Sequence, residues 1–147
     1  MSFNIDQALT DDIPQLVQLE KNCFLTDRLS ATQFKYLIKS NNEILVVKQR
    51  QRIIAYGIIL FRKNSSIARL YSLAVHAKYR RHGIAQKLND AISQHAQQRA
   101  CTQIRLEVRK DNDAAIRFYK KNGYKIFAEY KKFYEDKTDA WRMQFTL

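Results

Sequence analysis

The chain of 147 residues carries 26 Lys and Arg against 14 Asp and Glu, a formal net charge of +12, with 46% hydrophobic and 12% aromatic residues. This hydrophobic content excludes a disordered chain, and the length suits one domain over residues 1–147 that buries a core without metal or disulfide support. No apolar stretch approaches the roughly 20 residues of a membrane span, while the charge admits a ribosomal, nucleic-acid or other acidic partner. Lys and Arg are nevertheless scattered along the chain rather than interleaved with aromatics on one element, which weighs against a nucleic-acid groove. The N-terminal residues lack a basic region followed by an apolar run, so a cytoplasmic location is predicted. Cys23 and Cys101 lie far apart, with no Cys-x-x-Cys and no paired His spacing, so both are predicted to be reduced and structural.

In chain order, Phe3, Ile5 and Gln7 alternate as a first strand. Thr10 to Asp12 offer caps and acids to a helix bearing Ile13, Leu16, Val17, Leu19 and Phe24, with Pro14 in its first turn. Leu25 to Leu29 reads as a loop, and Ser30-Ala31-Thr32-Gln33 as a capping box that opens a second helix with Phe34, Leu37 and Ile38 on one face. Glu43 to Lys48 and Ile53 to Phe61 form a predicted hairpin, continued by Ile67 to Val75. A helix runs to about Arg99, and Gln103 to Arg109 is a strand that crosses over to lie parallel to its predecessor. Asp111 or Asn112 caps a fourth helix through Lys121, and Gly123 ends it. Tyr124 to Phe133 and Asp139 to Phe145 form a last hairpin, giving the order β-α-α-β-β-β-α-β-α-β-β. Gly57 interrupts an apolar strand, which suggests a bulge or a close approach.

Between the third hairpin strand and the third helix stands Arg80-Arg81-His82-Gly83-Ile84-Ala85. A glycine at such a joint lets backbone N–H groups gather on a phosphate at a helix N-terminus. No Gly-Lys-Ser/Thr follows, which excludes a P-loop, and the single glycine excludes the dinucleotide Gly-x-Gly-x-x-Gly. What remains, Arg-x-x-Gly-x-Ala, resembles the pyrophosphate signature of the GCN5-related N-acetyltransferase (GNAT) family. Downstream, Asn112-Asp113-Ala114-Ala115-Ile116-Arg117-Phe118-Tyr119-Lys120-Lys121-Asn122-Gly123-Tyr124 resembles the family's second hallmark, Asn-x-x-Ala-Ile-x-Phe/Leu-Tyr-x-x-x-Gly-Phe/Tyr. The likeness covers nearly the whole chain and points in particular to RimI-type ribosomal-protein-alanine N-acetyltransferases.

The resemblance implies an α/β (α+β) fold with a mixed, mostly antiparallel seven-stranded sheet, a central parallel pair formed by its fourth and fifth strands, and four helices. It implies acetyl-CoA as cofactor, CoA as product and no metal. Splayed ends of that parallel pair would leave backbone groups for an amide-rich extended ligand, and pantetheine is one. The resemblance assigns pantetheine pairing to Leu73, Ala74 and Val75. It also assigns the pyrophosphate to N–H groups of Arg81, His82, Gly83, Ile84, Ala85 and Gln86, helped by the helix dipole at roughly 0.3–1 kcal/mol. Arg80 and Arg81 would add charge for a terminal phosphate, and by the same resemblance Asn112 would contact the cofactor from the other side.

Acetyl transfer from a thioester to an amine needs a base for the amine and an acid for the departing thiolate. Strand alternation puts Arg105, Glu107 and Arg109 on one face and Ile104, Leu106 and Val108 on the other. A central strand covered by helices has both faces buried, so a glutamate there is either one half of an Arg–Glu pair or functional. The resemblance makes Glu107 the proton acceptor, directly or through water, and Tyr119 the acid. Tyr134, in the final hairpin, is a candidate for positioning a peptide.

Neutralising a lysine amine at pH 7 costs about 4.6 kcal/mol against about 1.1 for an α-amine, which favours the N-terminal amine of a protein or peptide over lysine. Polyamines and aminoglycosides stay open as acceptors if acids line the mouth, and Glu20, Asp27, Glu129, Glu135, Asp136 and Asp139 are candidates for that lining. A non-catalytic CoA-binding or nucleic-acid-associated module is the alternative class. The likeness thins after the first helix, where Phe24 is followed by Leu25, Thr26 and Asp27 instead of an aromatic Pro-Trp segment.

Overall fold

A computed structural model describes residues 3–147. Its elements are β1 (Asn4–Gln7), α1 (Ile13–Cys23), α2 (Ala31–Lys39), β2 (Glu43–Gln49), β3 (Arg52–Phe61), β4 (Ile67–Val75), α3 (Ile84–Gln98), β5 (Gln103–Arg109), α4 (Asp113–Lys121), β6 (Lys125–Tyr130) and β7 (Ala140–Thr146). The seven strands form one sheet in the order β1-β2-β3-β4-β5-β7-β6, in which β4 and β5 are the parallel pair. This is the architecture that the resemblance implies.

Local chemistry explains most boundaries. Ser30 Oγ accepts from Gln33 N at 3.2 Å while Gln33 Oε1 accepts from Ser30 N at 2.8 Å, so the capping box opens α2. Asn112, not Asp111, caps α4, its Oδ1 accepting from Ala115 N at 3.1 Å. Helix α1 stops at Cys23, one residue short of expectation, because Phe24 adopts extended backbone (φ −129°, ψ 136°) and turns the chain into the following loop. The predicted strand Tyr124–Phe133 shortens to Lys125–Tyr130: Tyr124 is drawn into the core beside Tyr119, and Lys132 at φ 53° breaks the far end.

Two apolar layers flank the sheet. On one face Leu88, Ile92 and Ala96 of α3 pack with Leu45, Ile59 and Ile104. Gly57 permits that approach, since a Cβ there would lie 2.8 Å from Ile92 Cδ1. On the other face Leu16, Leu19 and Phe34 of α1 and α2 pack with Val46, Tyr56 and Ile58. Those two helices lie over β2, β3 and β4, and the same face of β5 and β7 opens into a trough.

Candidate active site

The parallel pair is short by design of its neighbours. Only Ile67, Ala68 and Arg69 of β4 stand in register with Gln103, Ile104 and Arg105 of β5. Beyond them the β3–β4 register slips: Ile58 faces Ser72 and Ile59 faces Leu70, so Tyr71 is the extra residue of a β-bulge. A bulge bends and twists its strand, which swings β4 away from β5. Leu73, Ala74 and Val75 therefore pair with Gly57, Tyr56 and Ala55 on one side and face the opened cleft on the other. The cleft ends at Val75 O, which accepts from Arg80 Nε at 3.3 Å and Cys23 Sγ at 3.6 Å.

After β4 the chain turns tightly into α3. Arg81 and Gly83 adopt left-handed backbone, at φ 66° and 74°, and Gly83 is the residue preceding the helix. Nothing lies within 4 Å of a Cβ placed on Gly83, so the glycine serves the backbone turn and leaves open space beside it. The first helical bond is donated by Lys87 N to Gly83 O at 3.1 Å, which leaves the amides of Ile84, Ala85 and Gln86 as the unsatisfied donors of a helix start. The Gln86 side chain is committed elsewhere, to Asn122 Oδ1 at 2.6 Å and Asp90 Oδ1 at 3.0 Å. His82 is exposed, its ring tilted against Tyr79 at 6.5 Å. Asn112 Oδ1 is spent on its cap, and its exposed side chain keeps the amide N–H group to offer a ligand.

Glu107 projects from β5 onto the uncovered face, yet its side chain is only 6% exposed. Arg69 of β4 pairs with its Oε1, and Arg142 Nε, directly opposite on β7, approaches Oε2 at 3.4 Å. Burial here comes from guanidiniums rather than from a helix layer. Tyr119 enters from α4, its ring edge-on to Phe118 at 5.3 Å and Tyr124 at 5.4 Å. Burial pushes its hydroxyl well above the ordinary tyrosine range, and the neighbouring Tyr134 adds to the shift. Tyr134 links the two sides: burial first, then the charge of Glu107, pushes its hydroxyl up to about 12, with Arg109 opposing. The Arg109 guanidinium lies over the Tyr134 ring at 5.0 Å.

The acids expected at the mouth prove mostly committed. Glu20 is not at the mouth: it is 3% exposed and accepts from Tyr56 Oη and from Leu29 N at 2.8 Å. Lys110 pairs with Glu129 and approaches Asp139 at 3.9 Å. Asp136 pairs with Arg109 at 2.6 Å, whose hydrogen bond holds its carboxyl down to about 2. Asp27 and Glu135 remain, joined by a bond from Glu135 N to Asp27 at 3.3 Å. A mouth whose carboxylates are already paired with Lys110 and Arg109 is poorly suited to polycationic small amines. Sequence reasoning missed Arg69 and Arg142 as partners of Glu107. Their strand parity was the available signal, since Arg69 aligns with Arg105 and Arg142 with Glu107.

The family model described as Acetyltransferase (GNAT) family matches residues 11–124. The chain belongs to the GNAT family. N-alpha-acetyltransferase 30 of Schizosaccharomyces pombe is 30% identical over 135 residues, 89% of this chain and 87% of that one. The crystal structure of Ard1 from Thermoplasma volcanium superposes with a TM-score of 0.93 at 27% identity, covering 100% of this chain and 99% of that one. The ribosomal-protein-S18-alanine N-acetyltransferase of Escherichia coli shares the fold, with a TM-score of 0.88 at 23% identity over 99% of this chain and 94% of that one.

GNAT enzymes use acetyl-CoA, and this chain is an N-acetyltransferase of that type. The residues present fit such a ligand. The opened β4 edge suits a chain of amides, the N-terminal amides of α3 suit a pyrophosphate, and the open side of Gly83 gives it room. Among the described residues no group of three His, Cys, Asp or Glu side chains is arranged to hold a metal.

Proposed function

We propose that this GNAT enzyme acetylates the α-amine of a protein or peptide N-terminus. The observation that carries the reading is Glu107, held by Arg69 and Arg142 with its side chain only 6% exposed, in the trough on the uncovered face of β5 and β7. That face is long enough to seat an extended chain beside the carboxylate. The relative N-alpha-acetyltransferase 30 supports the same substrate class.

Acetyl-CoA, when bound, supplies the thioester carbonyl that the amine attacks. Leu73, Ala74 and Val75 present the β4 backbone to the pantetheine amides. The N–H groups of Arg81 to Gln86 gather on the pyrophosphate, Arg81 reaches the terminal phosphate, and Arg80 caps the end of the β4 track. Asn112 donates from the α4 side. Arg69 and Arg142 orient the Glu107 carboxylate, which accepts the ammonium proton directly or through water. Tyr119, protonated because it is buried, donates to the departing sulfur. Tyr134 positions the acceptor between them.

The test is acetylation of matched peptides with acetyl-CoA, one with a free α-amine and one with a blocked α-amine plus an internal lysine. Transfer to the free α-amine alone is expected. Transfer to lysine alone, or to neither, contradicts the reading.

A further inference from the structure

The trough beside Glu107 has a volume of about 610 Å³ and is lined by Arg62, Arg69, Arg105 and Arg142 against the single carboxylate of Glu107. Glu107 engages Arg69 and Arg142. Among the described residues, Arg62 and Arg105 have no carboxylate partner, and Arg69 Nε is buried without an acceptor. Two of these guanidiniums are fixed by their neighbours. Arg105 donates Nε to Gln144 Oε1 at 2.8 Å and lies over Phe127 at 4.9 Å, while Arg142 lies over Phe127 at 4.9 Å and Tyr130 at 4.8 Å. Stacking of this kind fixes the planar fork and lowers the entropy lost when it takes a carboxylate in two-pronged fashion.

From Arg142 on β7 across β5 and β4 to Arg62 after β3 is three strand spacings, roughly 14 Å, the reach of about four extended residues. Glu107 meets only two of the four guanidiniums, whereas a chain bearing several carboxylates also reaches Arg62 and Arg105. A peptide is favoured over a polyphosphate because the trough contains Glu107, the residue that takes the proton of the acceptor amine in the reading above.

We propose that this trough binds an acidic stretch of the acceptor polypeptide, supplied by the first few residues after the acetylated amine. The inference rests on the α-amine reading above and names its substrate class.

The experiment compares two peptides with the same first residue, one with Asp and Glu at positions two to five and one with Asn and Gln there. Wild type and an Arg62→Ala/Arg105→Ala double variant are assayed at low and high salt. Wild type should favour the acidic peptide by about tenfold, mainly through KM, and both salt and the double variant should shrink that preference while activity on the neutral peptide is kept. Equal use of both peptides by wild type, or a preference the double variant retains, overturns the proposal. Fluorescence anisotropy with the same labelled peptides separates this from failure of the α-amine reading. If neither peptide is acetylated, tighter binding of the acidic one that the double variant loses still supports the trough, and equal binding overturns it. An oligonucleotide that displaces the acidic peptide at lower concentration than the unlabelled peptide also overturns it.

Discussion

Asp27 and Glu135 meet at 3.3 Å, the Glu135 backbone N–H donating to the Asp27 carboxylate. The contact ties the loop after α1 to the β6–β7 loop that carries Tyr134, and Thr26 Oγ1 holds the same carboxylate at 2.7 Å. Asp27 itself adopts left-handed backbone at φ 56°, which aims it across the gap. Asp27→Ala should loosen Tyr134 and raise KM for peptide by about two- to tenfold, the worth of a hydrogen bond or two, without changing acetyl-CoA affinity. Steady-state kinetics with each substrate varied in turn would check this.

Glu107→Gln and Tyr119→Phe should each lower kcat by about a hundredfold or more while calorimetry finds acetyl-CoA bound as in wild type. Because Glu107 also binds Arg69 and Arg142, removal of its charge leaves two guanidiniums without a partner, so thermal melting of Glu107→Gln should be measured alongside.

The pH profile follows from the tyrosines. A phenol whose value is raised stays protonated over a wider range, so Tyr119 keeps its donor proton throughout working pH, and Tyr134 does so up to about 12. The rate should therefore rise as the acceptor amine loses its proton and show no alkaline fall between about pH 8 and 10. Tyr119→Phe should lower the curve without reshaping it; an alkaline limb in wild type that this variant abolishes would contradict the assignment.

Glu20 gives a stability counterpart. Burial is the main cause that raises its carboxyl above the usual value, opposed by the Leu29 N–H and by Arg28. A raised acid favours the folded state when protonated, and this contribution is lost as pH climbs through the folded value. Glu20→Gln should consequently gain in melting temperature relative to wild type as pH increases from about 4 to 7. A constant difference across that range would show that Glu20 does not titrate this way.

Gly83 and Gly123 separate binding from folding. Gly83→Ala places a methyl in the open space beside the α3 amides and should weaken acetyl-CoA binding, at a folding cost of about 1–2 kcal/mol for its left-handed backbone. Gly123, at φ 91°, would place a Cβ 2.9 Å from Phe145, so Gly123→Ala should cost at least about 1 kcal/mol of stability by denaturant unfolding.

Much of this was readable from the chain because the signals are local. The Ser30–Gln33 box, the Asn112 cap, the Gly123 stop and the period of each strand all act within four residues of themselves. Gly83 and the β5 alternation likewise act locally, and they mark the two ends of the candidate site. What escaped depends on contacts between distant segments. Glu107 meets Arg69 and Arg142 only once register is known, and Tyr71 becomes a bulge only opposite β3. The acids near the mouth are taken up by Lys110 and Arg109, and Glu20, a candidate for the mouth by sequence, is enclosed by Tyr56 and Leu29.

Mass spectrometry of a peptide bearing both a free α-amine and an internal lysine decides whether one acetyl group passes from acetyl-CoA to the N-terminal amine. One acetyl group is expected, mapped by fragmentation to the α-amine and lost in the Glu107→Gln and Tyr119→Phe variants. Acetylation confined to the lysine, or undiminished in both variants, would contradict it.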